Sequence, residues 1–182
     1  MKIFEDVFTG DEVLSDAIDM KIDETNSIIS VVSKMINPDD GGNIDIGCSN
    51  HFGGNAEDED GGEQGGDDGS AKVNNIIHSF NLEQYPCSKD DFKDFLKEKI
   101  GIVKKRLAGK DDRLKEWGPG GAVSNLMKDV LKKFDDGVEI YLGKSAADYK
   151  YDGMIIVSMW ANDEDSGPTF YFFKDCLREV KV

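Results

Sequence analysis

The stretch SKDDFKDFLKEKIGIVKKRL, Ser88–Leu107, sets the reading of the fold. Ser88 offers a hydroxyl to the unpaired N–H groups at the start of a helix, and Asp91 places negative charge in the first turn, where the helix dipole favours it. Phe92, Phe95, Leu96, Ile100, Val103 and Leu107 then recur at three- and four-residue spacing. That period predicts an amphipathic helix to about Leu107.

Downstream, AGKDD (108–112) reads as a helix–helix turn. A second helical pattern carries Leu114, Trp117, Val123, Leu126, Val130, Leu131 and Phe134, with GPGG (118–121) expected to kink or interrupt it. A short connection between two apolar faces predicts an antiparallel helical hairpin.

On either side the period changes to that of strands. Residues 2–8 read as a strand, TGD (9–11) as a turn and EVLSD (12–16) as a short strand pairing back. SIISVVSKMI (27–36) reads as one buried strand and 71–86 as a long strand. After the hairpin, 138–143, 153–161 and 169–175 are strand-like, with NDEDSG (162–167) as a hairpin turn. Strands, two helices and strands again predict an α+β fold with the hairpin projecting from a sheet.

Charge is distributed unevenly. The 182 residues carry 22 Lys plus Arg against 37 Asp plus Glu, a net of −15. Between Ser88 and Phe134 there are 13 basic and 8 acidic residues, a net of +5, so the remainder holds −20. The hairpin is a basic module on an acidic protein. The overall balance argues against a nucleic-acid binder acting through a general basic surface. No apolar run approaches the roughly 20 residues of a membrane span, and the acidic N-terminus MKIFEDVFTGDEVLSD lacks the apolar centre of a signal peptide. A soluble cytoplasmic protein is expected, with any secretion by an unconventional route. Cys48, Cys87 and Cys176 are odd in number and form no CxxC, so reduced thiols are expected rather than disulfides or zinc.

Asp39–Gly69 holds ten acids and ten glycines and no Lys or Arg. Such a segment buries too little apolar area to offset its ordering entropy and is expected to be largely disordered, apart from a brief strand at NIDIG (43–47) and an anchor at Phe52. No register of its acids meets the spacing of an EF-hand loop. Weak, diffuse calcium binding is expected instead, with Glu57, Asp58 and Asp60 as the candidate ligands and no tightly bound cofactor. GKS (143–145) lacks the earlier glycine of a phosphate-binding loop and reads as a plain turn. His78 falls in the strand pattern as a partly buried side chain. His51 and Cys48 lie among glycines that give a catalytic pair no rigid support. No catalytic constellation emerges, and a non-enzymatic role is expected. Glu12, next to Asp11, reads as a surface acid.

Taken together the motifs resemble the translationally controlled tumour protein family over nearly the whole chain. The opening MKIFEDVFTGDEVLSD resembles the family's start, and FGGNAED (52–58) its first signature. FDDGVEIYLG (134–143) with DGMIIV (152–157) resembles the second, KDVLKKF (128–134) the end of the third family helix, and FYFFKD (170–175) the last hairpin. Departures are Lys144 where the family has Glu, the GPGG interruption, and Val182 where many members end in Cys. The resemblance implies a single domain over 1–182, with an acidic flexible loop at 39–69 and a basic helical hairpin at 88–134. It implies a β-tent fold similar to Rab-GTPase accessory proteins and methionine sulfoxide reductase B, without the zinc cysteines of those relatives. It also implies calcium and microtubule association and a link to growth and survival. Tubulin would meet the helical region, with Lys93, Lys97, Lys104, Lys105 and Arg106 as the expected contacts. A second implied role is regulation of a Rheb-type small GTPase, as exchange factor or nucleotide-free chaperone, with Glu12 and Lys128 at the contact. Anti-apoptotic Bcl family proteins are a further implied partner.

Overall fold

A computed structural model of the protein describes residues 1–38, 71–146, 148 and 152–182. The expectations for 39–69, including the strand at 43–47, the Phe52 anchor, His51 and Cys48, lie outside the described residues.

The N-terminal strands are β1 (Lys2–Asp6), β2 (Glu12–Ser15), β3 (Lys21–Ile22), β4 (Ile28–Val32) and β5 (Met35–Ile36). Then come β6 (Val73–Asn74), α1 (Asn75–Phe80) and β7 (Glu83–Gln84). The helical region holds α2 (Lys89–Arg106), α3 (Asp111–Trp117) and α4 (Ala122–Lys132). The chain closes with β8 (Glu139–Leu142), β9 (Ile156–Met159), β10 (Thr169–Phe173), a 3-10 turn (Lys174–Cys176) and β11 (Leu177–Lys181).

All strand pairs are antiparallel. A six-stranded sheet runs β3-β4-β10-β9-β8-β7, a three-stranded sheet runs β11-β1-β2, and β5 pairs with β6. Strand periodicity explains how the layers stack. Successive side chains point to opposite faces, and both faces of the large sheet are covered. Ile140, Val157 and Phe173 join the helices in one core, with Phe92, Leu96, Val103, Trp117, Val123 and Val130. Tyr141, Ile156, Phe170 and Phe172 join β1, β2 and α1 in the other, with Phe4, Val13, Leu14, Ile76 and Phe80. The expected α+β architecture is therefore realised as helices on one face of a central sheet and a smaller sheet on the other. The run TFYFF in β10 is nearly continuously apolar because both of its faces are covered, with Tyr171 alone half-buried.

The hairpin closes as expected. Phe92 near the start of α2 stacks on Phe134 beyond the end of α4, with ring centroids 5.3 Å apart. GPGG is a full break rather than a kink. Gly120 has φ +78°, and a Cβ on Gly121 would sit 2.3 Å from the Glu116 carbonyl oxygen. The Glu116 carboxylate turns back to accept from the Ala122 N–H at 3.0 Å, opening α4. α3 is clamped to the sheet by Asp175, which accepts from Arg113 Nε at 2.8 Å, Arg113 Nη2 at 2.9 Å and Trp117 Nε1 at 2.9 Å.

Three expectations are corrected. The long strand at 71–86 is two short strands flanking helix α1: Asn74 caps it by accepting from the Ile76 and Ile77 N–H groups, and Asn81 ends it in the left-handed region. His78 consequently sits exposed in the last turn of a helix, not half-buried in a strand. The strand at 27–36 is broken between β4 and β5, where buried Ser33 gives its N–H and its hydroxyl to the Pro168 carbonyl. β11 carries no local strand signal; it pairs with β1 along its whole length.

Candidate interaction surfaces on α2 and at the β1–β2 corner

α2 is built as its sequence dictates. Ser88 accepts the Asp91 N–H at 3.2 Å, Asp90 and Asp91 occupy the first turn, and Lys104, Lys105 and Arg106 occupy the last. Acids at one end and cations at the other both suit the helix dipole. Phe92, Leu96, Lys99 and Val103 form the buried line. Lys99 is thus a lysine of the interior, its ammonium 5.1 Å from the Phe95 ring centroid. Burial lowers its pKa, against the pull of Asp152, Glu98 and Asp6.

The exposed cations do not share one face. At about 100° per residue, with Phe92 as zero, Lys93, Lys97 and Lys104 fall within about 40° of one another, about a third of a turn from the buried line. They make a stripe roughly 16 Å long. Lys105 lies about 100° further round, and Arg106 returns to flank the buried line on its other side. The structure therefore groups three of the five expected tubulin contacts and separates Arg106. Lys97 and Lys104 are exposed and have no ion pair among the described residues, while Lys93 pairs with Asp90 at 3.6 Å, both in water. Helix phase, already present in the sequence, is the signal that sorts these residues.

Glu12 opens β2 on a corner made of buried acids. Asp6 and Asp11 are each 3% exposed. Asp6 accepts from the Phe8 N–H at 2.8 Å and the Met154 N–H at 2.7 Å. Asp11 accepts from the Ser145 N–H at 3.0 Å, the Ser145 hydroxyl at 2.6 Å and the Thr9 hydroxyl at 3.1 Å. Burial raises the Asp6 pKa; its N–H partners pull it down and neighbouring Asp11 pushes it up. Two glycines admit these acids. A Cβ on Gly143 would lie 2.5 Å from Asp11 Oδ2, and one on Gly153 would lie 3.1 Å from Asp6 Oδ2. The GKS segment is thus a turn whose serine braces the corner. Across the small sheet Arg178 stands opposite Glu5, and Glu5 opposite Glu12. Arg178 pairs with Glu5, and Glu12 remains the exposed carboxylate of the row. Lys128 is exposed on α4, and no hydrogen bond or ion pair among the described residues joins it to Glu12.

Residues 1–178 match the family model for translationally controlled tumour protein. The chain belongs to the translationally controlled tumour protein family. Curated members from Debaryomyces hansenii and Candida albicans are 34% and 33% identical to it over 182 residues, covering all of both chains in each case. The solved family structure from Schizosaccharomyces pombe superposes with a TM-score of 0.71 at 27% identity, each chain covered completely. One from Caenorhabditis elegans superposes at 0.62 and 23% identity, covering 100% of this chain and 99% of that one, which bears on the fold alone. Gly143 and Gly153, in the stretches 134–143 and 152–157 quoted from the sequence, are where those segments close on Asp11 and Asp6.

Cys87 and Cys176 are free thiols, and burial raises the pKa of both. Among the described residues no group of three or more His, Cys, Asp or Glu side chains gathers as a metal site. Glu57, Asp58 and Asp60 lie outside the described residues. No helix among them is long and apolar enough to cross a membrane.

Proposed function

We propose that this chain is a non-enzymatic binding protein that associates with tubulin through the outer stripe of α2. The observation that carries the reading is the alignment of Lys93, Lys97 and Lys104 on one exposed helix face. Lys97 and Lys104 are exposed cations with no ion pair among the described residues, and Lys93 has only a solvent-exposed partner in Asp90, so the attraction is electrostatic and reads acidic surfaces. Weak calcium association with Glu57, Asp58 and Asp60 accompanies this reading on the carboxylate density of the sequence. The test is microtubule co-sedimentation of Lys97→Glu/Lys104→Glu. Pelleting is expected to weaken about tenfold, equivalent to about 1.4 kcal/mol; unchanged pelleting would remove the stripe from the contact.

A second reading, regulation of a Rheb-type small GTPase, is favoured by the braced corner. Glu12 is an exposed carboxylate on a rigid base, and rigid placement lowers the ordering penalty of binding. Glu12→Lys and Lys128→Glu should each weaken the complex while melting like wild type. Equal binding by all three proteins would discard it.

A further inference from the structure

A groove of about 440 Å³ opens where α2 ends and α3 begins, against the 3-10 turn and β11. It is lined by Val7, Leu107 and Leu177, with five cationic residues and a single acid, Asp175. The cations are Arg106, Lys110, Arg113, Lys174 and Arg178. We propose that this groove binds a compact, multiply phosphorylated anion.

The charges are arranged for such a ligand. Asp175 already accepts from Arg113 and Trp117, so its charge is matched inside the protein. Arg113 is immobilised further by donating to the Thr25 and Asn26 carbonyls and to the Ser27 hydroxyl. The Lys174 ammonium is held by Asn26 Oδ1 at 2.6 Å, with Glu179 at 4.0 Å, and Arg178 is steadied by Glu5. Arg106 and Lys110, one on each side of the α2–α3 turn, are exposed and have no ion pair among the described residues. Two free cations thus face three held ones across a space of small-ligand size, since such sites span about 300–1,000 Å³.

Ligand chemistry follows from charge density. Arg106 and Lys110 bring two charges unmatched among the described residues, which call for more than one negative charge on few atoms, and phosphoryl oxygens match the guanidinium fork of Arg106. An extended acidic peptide brings at most one carboxylate about every 3.3 Å and spreads its charge beyond the groove. Val7, Leu107 and Leu177 offer apolar contact to the carbon frame of the ligand. The net −15 of the whole chain opposes an anion in the groove only weakly, because at about 0.15 M salt the field of distant acids decays over about 8 Å. Arg106 is turned away from the Lys93–Lys97–Lys104 stripe, so this site is separate from the tubulin reading.

The test is titration calorimetry on the full chain with inorganic tripolyphosphate and inositol hexakisphosphate, and sedimentation with vesicles bearing phosphatidylinositol bisphosphate. At least one probe should bind saturably at one site, weakened at least tenfold in Arg106→Gln/Lys110→Gln. Lys132→Gln/Lys133→Gln removes the same charge roughly 20 Å away along the hairpin and should bind like wild type. Binding to free probes points to a soluble ligand, and binding to vesicles alone points to a lipid headgroup. The single variant Lys110→Ala, at a position that makes no side-chain cap bond, gives the same reading if the double variant melts early. Absence of saturable binding to every probe, equal weakening in both double variants, or a hexaglutamate peptide binding as tightly as tripolyphosphate would overturn the proposal.

Discussion

On the outer face of α2 Lys97 and Lys104 stand in water, and Lys93 beside them is half-exposed with only Asp90 for a partner. At the β1–β2 corner two carboxylates are buried and wrapped in N–H and O–H donors. A charged side chain therefore has opposite consequences in the two places. A solvated cation adds little to stability, because water screens it and its side chain keeps its freedom. A buried carboxylate is a commitment: once desolvated, it needs every donor around it. Binding should depend on the first region and folding on the second.

The largest expected effect extends the rule of buried acids to the base of the helical layer. Asp175→Ala strips Arg113 and Trp117 of their shared acceptor in a pair whose side chains are only 24% and 11% exposed. Chemical denaturation should show a loss of about 3 kcal/mol. A loss below about 1 kcal/mol would mean that water replaces the acceptor, and the contrast with exposed charge would break there.

Next in size is Asp6→Asn. Both Asp6 oxygens accept, one from Phe8 and one from Met154. An amide offers one acceptor and turns its NH₂ towards the other N–H, so destabilisation of about 1–3 kcal/mol is expected by the same measurement.

A smaller effect sharpens the comparison by pH. Asp23 is drawn upward by burial but held below its ordinary 3.8 overall by the Thr25 hydroxyl and the Ile28, Ser27 and Thr25 N–H groups. Its contribution is present above 3.8 and is lost as pH falls through the lowered folded value. Asp6, with a raised pKa, has the opposite sign: the folded chain takes up its proton first, so that group favours the native state increasingly as pH falls towards 3.8. Asp23→Ala should lose about 1 kcal/mol at neutral pH, discounted for solvent screening. The difference from wild type should shrink below pH 3.8, and a constant difference would deny the linkage.

Much of this was legible in the sequence because the signals are local. Ser88, the apolar period of α2 and the β9–β10 hairpin each state themselves within a few residues. The misses have physical causes. Ile76 and Ile77 favour strands, but Asn74 and Asn81 decide the local backbone and make 75–80 a helix. β11 alternates among charged residues and becomes a strand through its pairing with β1. Asp175 and Arg113 are 62 positions apart, and no local pattern announces their pair. Of the expected contacts, Lys93, Lys97 and Lys104 come together by helix phase. Glu12 and Lys128 came from the resemblance, and the bracing beneath Glu12 becomes visible only when Gly143 and Gly153 close on Asp11 and Asp6.

The smallest stability effect accompanies the sharpest functional one. Replacing Lys93, Lys97 and Lys104 together by Gln should change stability by about 0.5 kcal/mol or less, as is usual for exposed positions. The most direct measurement is microtubule co-sedimentation of this variant and wild type across a salt series. Raising salt from about 0.1 M to 1 M shortens the screening length from about 10 Å to about 3 Å. Wild type should pellet strongly at low salt and lose binding steeply as salt rises, while the variant binds weakly and with a shallow slope. Parallel salt curves for the two proteins would contradict the account and place the tubulin contact elsewhere on the molecule.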